Sequence, residues 1–248
     1  MIHLVIFDLD GTLVQTEKLK ALSYARAVID LCPNTVQTTE VIEAFKEVVG
    51  QSRREVALAL MKRFDLERAA RSRLAEFGVS APWQAFVQIR LAYYERMLTD
   101  PQIILNHRWP YTIALLHEVR RMQCKTGLAT MSHCNQVQQI LKILRLTDAF
   151  DFIATGDDID RGKPDPQIYQ LVASELETAP EDCLVIEDSP AGVRAALDAG
   201  MHCFAVTTPF TREAIHSSHL LEKDRIVDDP AQLVDLVGRF LELETERN

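Results

Sequence analysis

The spacing of apolar positions changes along the chain, and each change predicts a different element. His3-Leu4-Val5-Ile6-Phe7 is short, largely apolar and partly β-branched, the pattern of a buried central strand. Asp8, Asp10 and Gly11 then open it into a turn. From about Thr16 to about Thr99 the period is helical. Leu19, Leu22, Ala25 and Ile29 share one stripe; Val41, Phe45, Val48 and Val49 a second; Val56, Leu60, Met61 and Phe64 a third; Phe86, Val87, Leu91 and Tyr94 a fourth. Cys32-Pro33-Asn34 and the segment from Gly78 to Trp83 read as the breaks between helices. From about Pro110 helix and strand patterns alternate: a helix over Tyr111 to Met122, a strand over Lys125 to Ala129, and a helix carrying Val137, Ile140, Leu141 and Leu144. There follow a strand over Phe152 to Ala154, a helix over Ile168 to Glu175, a strand over Cys183 to Ile186, a helix over Ala191 to Ala199 and a strand over His202 to Val206. Leu233, Leu236, Val237, Phe240 and Leu241 mark a closing amphipathic helix, with a frayed charged tail beyond. The order predicts an α/β fold, a doubly wound, Rossmann-like parallel sheet. Residues 1–15 and 99–248 would form the core domain, and residues 16–98 an inserted helical cap subdomain.

Composition narrows the class without naming a function. At 248 residues, 47% hydrophobic and 25% charged, the chain suits a globular domain with an insert. A net charge of −9 makes long-range steering repulsive toward nucleic acid and anionic membranes, so neither is expected as a partner. A small phosphorylated metabolite responds instead to the local field of a cleft. Cys32, Cys124, Cys134, Cys183 and Cys203 are odd in number and lack CxxC spacing, so reduced thiols of a cytoplasmic protein are expected, without a zinc site or disulfide frame. The early acids interrupt any leader-like apolar run, and no stretch reaches membrane-spanning length. The expected state is a monomer or weak dimer.

Candidate chemistry lies at the strand ends. Asp8 and Asp10 follow the first strand; Thr130-Met131-Ser132 follows the second and opens a helix. A hydroxyl with free N–H groups at a helix start can hold an anion, or merely cap the helix. In Arg161-Gly162-Lys163-Pro164-Asp165-Pro166 the two prolines restrict the loop and hold Lys163 in place. Glu187 and Asp188 end a later strand, with Ser189 as helix cap and Pro190 as first helical residue. In a parallel sheet these ends share one edge, where ligands collect. Carboxylates from separate strands suit Mg²⁺, and the threonine and lysine would grip a phosphate from the other side.

These residues resemble the signature motifs of the haloacid dehalogenase superfamily, in order: Asp8-Leu9-Asp10-Gly11-Thr12, Leu128-Ala129-Thr130, Gly162-Lys163-Pro164-Asp165-Pro166 and Glu187-Asp188-Ser189-Pro190-Ala191-Gly192. The helical block resembles the superfamily's type-1 cap, and the nearest likeness is to its β-phosphoglucomutase and phosphoglycolate phosphatase group. The resemblance implies Asp8 as nucleophile and Asp10 as acid and base. It implies Mg²⁺ on Asp8, Asp10 (through its backbone carbonyl), Asp188 and Glu187, the last directly or through water. Thr130 and nearby N–H groups would bind phosphoryl oxygens, and Lys163 would stabilise the developing charge. Met131, Ser132, Lys20 and Arg53 are further candidate substrate contacts, and His133 could meet an anion.

Val49-Gly50-Gln51-Ser52-Arg53 resembles the cap segment with which mutase-like relatives hold a substrate's distal group. Lys20 stands where β-phosphoglucomutases carry a histidine, Gln15 replaces an acid after the first motif, and Met131 is bulky beside the phosphate loop. The expectation is a Mg²⁺-dependent phosphatase acting on a sugar phosphate or phosphoglycolate type of substrate through an aspartyl-phosphate. A sugar phosphate mutase is the alternative, and a non-catalytic phosphoacceptor or binding module the alternative of another class.

Overall fold

The structure, a computed structural model, describes residues 1–32, 36–48 and 53–246. Pro33, Asn34 and the segment Val49 to Ser52 therefore lie outside the described residues. The chain opens with β1 (Leu4–Phe7), all four side chains buried. Helices follow: α1 (Thr16–Leu31), α2 (Thr38–Lys46), α3 (Arg53–Arg63), α4 (Glu67–Arg71), α5 (Leu74–Phe77), α6 (Pro82–Thr99) and α7 (Pro101–Asn106). Then come α8 (Pro110–Arg121), β2 (Lys125–Ala129), α9 (Cys134–Leu144), β3 (Phe152–Ala154), α10 (Gln167–Glu175), β4 (Cys183–Glu187), α11 (Pro190–Asp198), β5 (His202–Val206), α12 (Arg212–Ser218), β6 (Ile226–Val227) and α13 (Leu233–Glu246).

The chain divides into two compact units, Met1–Gln15 with Ile104–Asn248, and Thr16–Ile103. The second starts where the sequence pattern turns helical. It ends at Ile103, five residues beyond the expected boundary at 98, because Pro101 starts a further short helix after α6. In this unit α1 packs against α2 and α6, and Tyr24 contacts the rings of Phe45 and Phe86 at 5.4 and 5.8 Å. Gly78 closes α5 in the left-handed region, and Pro82 takes the first position of α6.

The first unit is an α/β domain with a six-stranded, all-parallel sheet in the order β3-β2-β1-β4-β5-β6. β1 lies between β2 and β4, and both its faces are covered, so its sequence is a continuous apolar run with no alternation. The predicted strands are all present. β6 and α12 are additional: β6 pairs only two residues at the sheet edge, too short to leave a period in the sequence. The chain's exit from the sheet and its return lie side by side, with Gln15 N donating to His107 O at 2.8 Å and Trp109 N to Leu13 O at 2.8 Å. His202 packs its ring on Phe240 at 5.3 Å, consistent with a packing role.

Candidate active site

Register brings the motif residues together. Phe7 is level with Leu128 on one side and with Ile186 on the other, so Asp8, Ala129 and Glu187 follow at one height. Thr130 and Asp188 stand one residue further on. Lys163 enters from the loop between β3 and α10, and its ammonium completes the cluster. It donates to Asp8 Oδ1 at 2.7 Å, to Glu187 Oε1 at 2.7 Å and to Ala129 O at 2.9 Å. Asp8, Glu187, Asp188 and Thr130 are all buried.

Glu187 is saturated with donors. Oε1 accepts from Lys163 and from Tyr169 Oη at 2.8 Å; Oε2 accepts from Asp188 N, Ser189 N and Ser189 Oγ at 2.9 to 3.1 Å. Burial alone would raise its pKa, but Lys163 and these hydrogen bonds hold it below the usual carboxylate range. Lys163 is likewise penalised by burial, yet Asp8 and Glu187 outweigh that and keep its ammonium above its ordinary range. Asp8 is the acid that yields. Burial lifts it to about 8, with Lys163 pulling down and Glu187 and Asp10 pushing up. One lysine cannot neutralise this many carboxylates.

A second layer fixes Asp10. Thr130 Oγ1 and Ser132 Oγ both donate to Asp10 Oδ2, at 3.0 and 2.6 Å, and Ser132 N donates back to Thr130 Oγ1 at 3.1 Å. Neither hydroxyl caps the following helix. Asp157, from the loop after β3, does so by accepting from Cys134 N at 2.8 Å, and it also holds His133 Nδ1 at 2.7 Å. On the other strand Ser189 accepts from Gly192 N at 3.1 Å and caps α11. Gly11 has φ +90, and a Cβ placed there would come within 2.0 Å of Asp188 Oδ2. Glycine is what lets the Asp188 carboxylate lie against that turn.

The oxygens fit a hard divalent cation. Asp8, Glu187 and Asp188 each offer one within 4.8 Å of the others. Asp8 Oδ2 is buried with no hydrogen-bond partner, an arrangement that costs free energy unless a cation meets it. Glu187 would have to release donors to join a metal shell; Asp8 and Asp188 are better placed. Met131 is 44% exposed beside this cluster, with its side chain against Gly162. Lys20 and Arg53 belong to the helical unit, where Lys20 is paired with Glu17 at 3.1 Å. All five cysteines are free thiols, and among the described residues no helix is long and apolar enough to cross a membrane.

Tyr169 is the contributor that motif reading missed. It is fully buried, it donates to Glu187, and its ring centroid lies 4.8 Å from the Lys163 ammonium. The signal for it is weak: an aromatic in the first turn of the helix that the lysine loop starts.

A family model of haloacid dehalogenase-like hydrolases matches residues 2–200. The chain belongs to that family. Hexitol phosphatase A of Escherichia coli is 30% identical over 229 residues, 91% of this chain and 94% of that relative. Validoxylamine A 7′-phosphate phosphatase of Streptomyces hygroscopicus is 36% identical over 110 residues, 44% of this chain and about half (52%) of that relative. The fold is shared with β-phosphoglucomutase of Clostridium difficile, at a TM-score of 0.64 and 22% identity over 97% of this chain and 99% of that one. The chain is thus a haloacid dehalogenase-like hydrolase with relatives named as phosphatases.

Proposed function

We propose that this hydrolase is a Mg²⁺-dependent phosphatase that releases phosphate from a small phosphorylated metabolite of the sugar phosphate type through an aspartyl-phosphate. The observation that carries the reading is the Asp8 carboxylate, with one oxygen held by Lys163 and the other buried and unpartnered. In this reading an Asp8 oxygen attacks phosphorus while the bond from phosphorus to the substrate oxygen breaks. Asp10, positioned by Thr130 and Ser132, gives that leaving oxygen a proton. Water then attacks the phosphoryl group and gives a proton to Asp10, and the Asp8–phosphorus linkage breaks to free phosphate. Lys163 stabilises charge on Asp8 and on the transferring group. Asp8, the Asp10 carbonyl and Asp188 would hold Mg²⁺, with Glu187 chiefly holding Lys163. The ion, when bound, supplies charge neutralisation between carboxylate and phosphate.

The helical unit, residues 16–103, serves in this reading as the cap that selects the substrate. The name hexitol phosphatase A supports an organic phosphate of sugar-like size. Mutase action is less favoured, because Lys20, in place of the mutase histidine, is engaged by Glu17. The test is phosphate release from a panel of phosphorylated metabolites with Mg²⁺ or with EDTA. Release that needs Mg²⁺ and is abolished in Asp8→Asn is expected. Rearrangement of a sugar bisphosphate without net release would replace the reading with the mutase.

A further inference from the structure

Asp8 and Glu187 compete for one ammonium. Lys163 has three N–H donors, and they go to Asp8 Oδ1 at 2.7 Å, Glu187 Oε1 at 2.7 Å and Ala129 O at 2.9 Å. The proposed chemistry needs that ammonium at Asp8, where charge changes during transfer, and Glu187 draws it away. The Glu187 oxygen that takes Lys163 also accepts from Tyr169 Oη, at 2.8 Å. That second donor satisfies part of the carboxylate's charge and weakens its hold on the lysine.

The hydroxyl is not needed for packing. Tyr169 is fully buried in the apolar core with Ile168, Val172 and Ala173, where a phenylalanine ring would fill the same space. A buried hydroxyl costs free energy unless it is hydrogen-bonded, and this one has Glu187 as its partner. Burial and the Glu187 charge raise the phenol's pKa well above its ordinary value, so it stays a donor. The ring centroid, 4.8 Å from the ammonium, favours a cation there without offering it an acceptor.

The backbone prepares the contact. Tyr169 and Val172 lie one turn apart on α10, and a Cβ at Gly127, in the middle of β2, would clash with Val172 Cγ1. A glycine inside a strand marks a close approach. Here it lets α10 lie close to the sheet and brings Tyr169 to Glu187, the last residue of β4.

We propose that Tyr169 is a positioning residue: through its hydrogen bond to Glu187 it keeps Lys163 on Asp8. Its effect on rate rests on the phosphatase reading; the tether itself does not.

The test compares the full chain with Tyr169→Phe in two measurements. The first uses protein ¹⁵N-labelled on lysine, in EDTA, and follows hydrogen exchange of the Lys163 ammonium, whose signal is assigned by its loss in Lys163→Met. Tyr169→Phe is expected to quicken that exchange about tenfold, the loss of one charge-assisted contact. The second is phosphate release with Mg²⁺, where kcat is expected to fall about tenfold with KM unchanged, the mark of an interaction made in the transition state. Added to Lys163→Met, Tyr169→Phe should lower kcat no further, because it acts through the lysine. Unchanged exchange overturns the positioning role, and so does an equal loss of kcat in both backgrounds, which is packing damage. Quickened exchange in a protein that releases phosphate from no ester keeps the tether and removes the phosphatase reading. Should Tyr169→Phe misfold, Gly127→Ala, which pushes α10 back through Val172, is expected to quicken the exchange, and adding Val172→Ala to slow it again. Exchange that Gly127→Ala leaves as it was overturns the role too.

Discussion

Replacing Gly11 by alanine tests how Asp188, the acid proposed to face Mg²⁺, is held. Gly11 combines φ +90 with a close approach, its notional Cβ lying 2.0, 2.4 and 2.9 Å from Asp188 Oδ2, Cγ and Oδ1. To reach an ordinary contact of 3.4 Å, the carboxylate must retreat by about 1.4 Å. Gly200 is the matched control in the same α/β unit: it has φ +78, but its Cβ would meet only Pro180 at 3.6 Å. Gly200→Ala should therefore cost only the left-handed strain, about 1–2 kcal/mol, and leave turnover unchanged. Gly11→Ala carries that strain and also displaces Asp188. Misplacing a catalytic group by about 1 Å costs on the order of 100-fold in rate, so kcat/KM should fall by at least that factor. The Mg²⁺ concentration for half-maximal activity should rise as well. Urea unfolding followed by circular dichroism, with Mg²⁺ titrations of phosphate release, measures both effects. A Gly11→Ala protein matching Gly200→Ala in stability and in Mg²⁺ requirement would refute the reasoning.

Lys163→Met should lower turnover by about 10²–10³-fold and destabilise the protein by about 3–5 kcal/mol, because it strips the counter-charge from buried Asp8 and Glu187. Adding Asp8→Asn to it should recover part of that stability, as a double-mutant cycle in urea would measure. In EDTA the pH dependence has a defined sign. Asp8, at about 8 when folded against an ordinary value of 3.8, keeps a proton that the unfolded chain has lost, so stability falls as pH rises between roughly 4 and 8. Asp8→Asn should flatten that fall by up to one proton's slope; parallel curves for the two proteins would contradict it. Among the cysteines, exposed Cys134 should react first with a thiol reagent. Cys183, pushed by burial to about 12, and buried Cys203, also raised, should react only after unfolding.

The sheet was legible because its first five strands carry their burial in their own sequence. Leu4–Phe7 and Cys183–Ile186 are unbroken apolar runs because sheet neighbours and helices cover them on all sides. The acids, threonine and lysine were legible as motif residues for a related reason: parallel register carries strand ends to one edge. What escaped depends on contacts between distant segments. Tyr169 looks like an ordinary core aromatic until Glu187, 18 residues on, is placed against its hydroxyl. Asp157 caps α9 from 23 residues beyond, where no local pattern marks it. Arg90 sits within an apolar helical stripe whose period says buried, and neither the period nor the charge reveals the Tyr24 and Tyr94 rings on which its guanidinium lies. The two-residue β6 has no period to read.

The central claim is that Asp8 carries the phosphoryl group, and a rapid-quench single turnover with a ³²P-labelled phosphate ester in Mg²⁺ tests it most directly. With an aryl ester, whose leaving group departs without a proton from Asp10, Asp10→Asn lacks only the group that activates water, and acid-stable, hydroxylamine-labile label should accumulate on the peptide containing Asp8. Asp8→Asn should hold none and release no phosphate. Label on another residue, or phosphate release by Asp8→Asn at the unaltered protein's rate, would contradict the account.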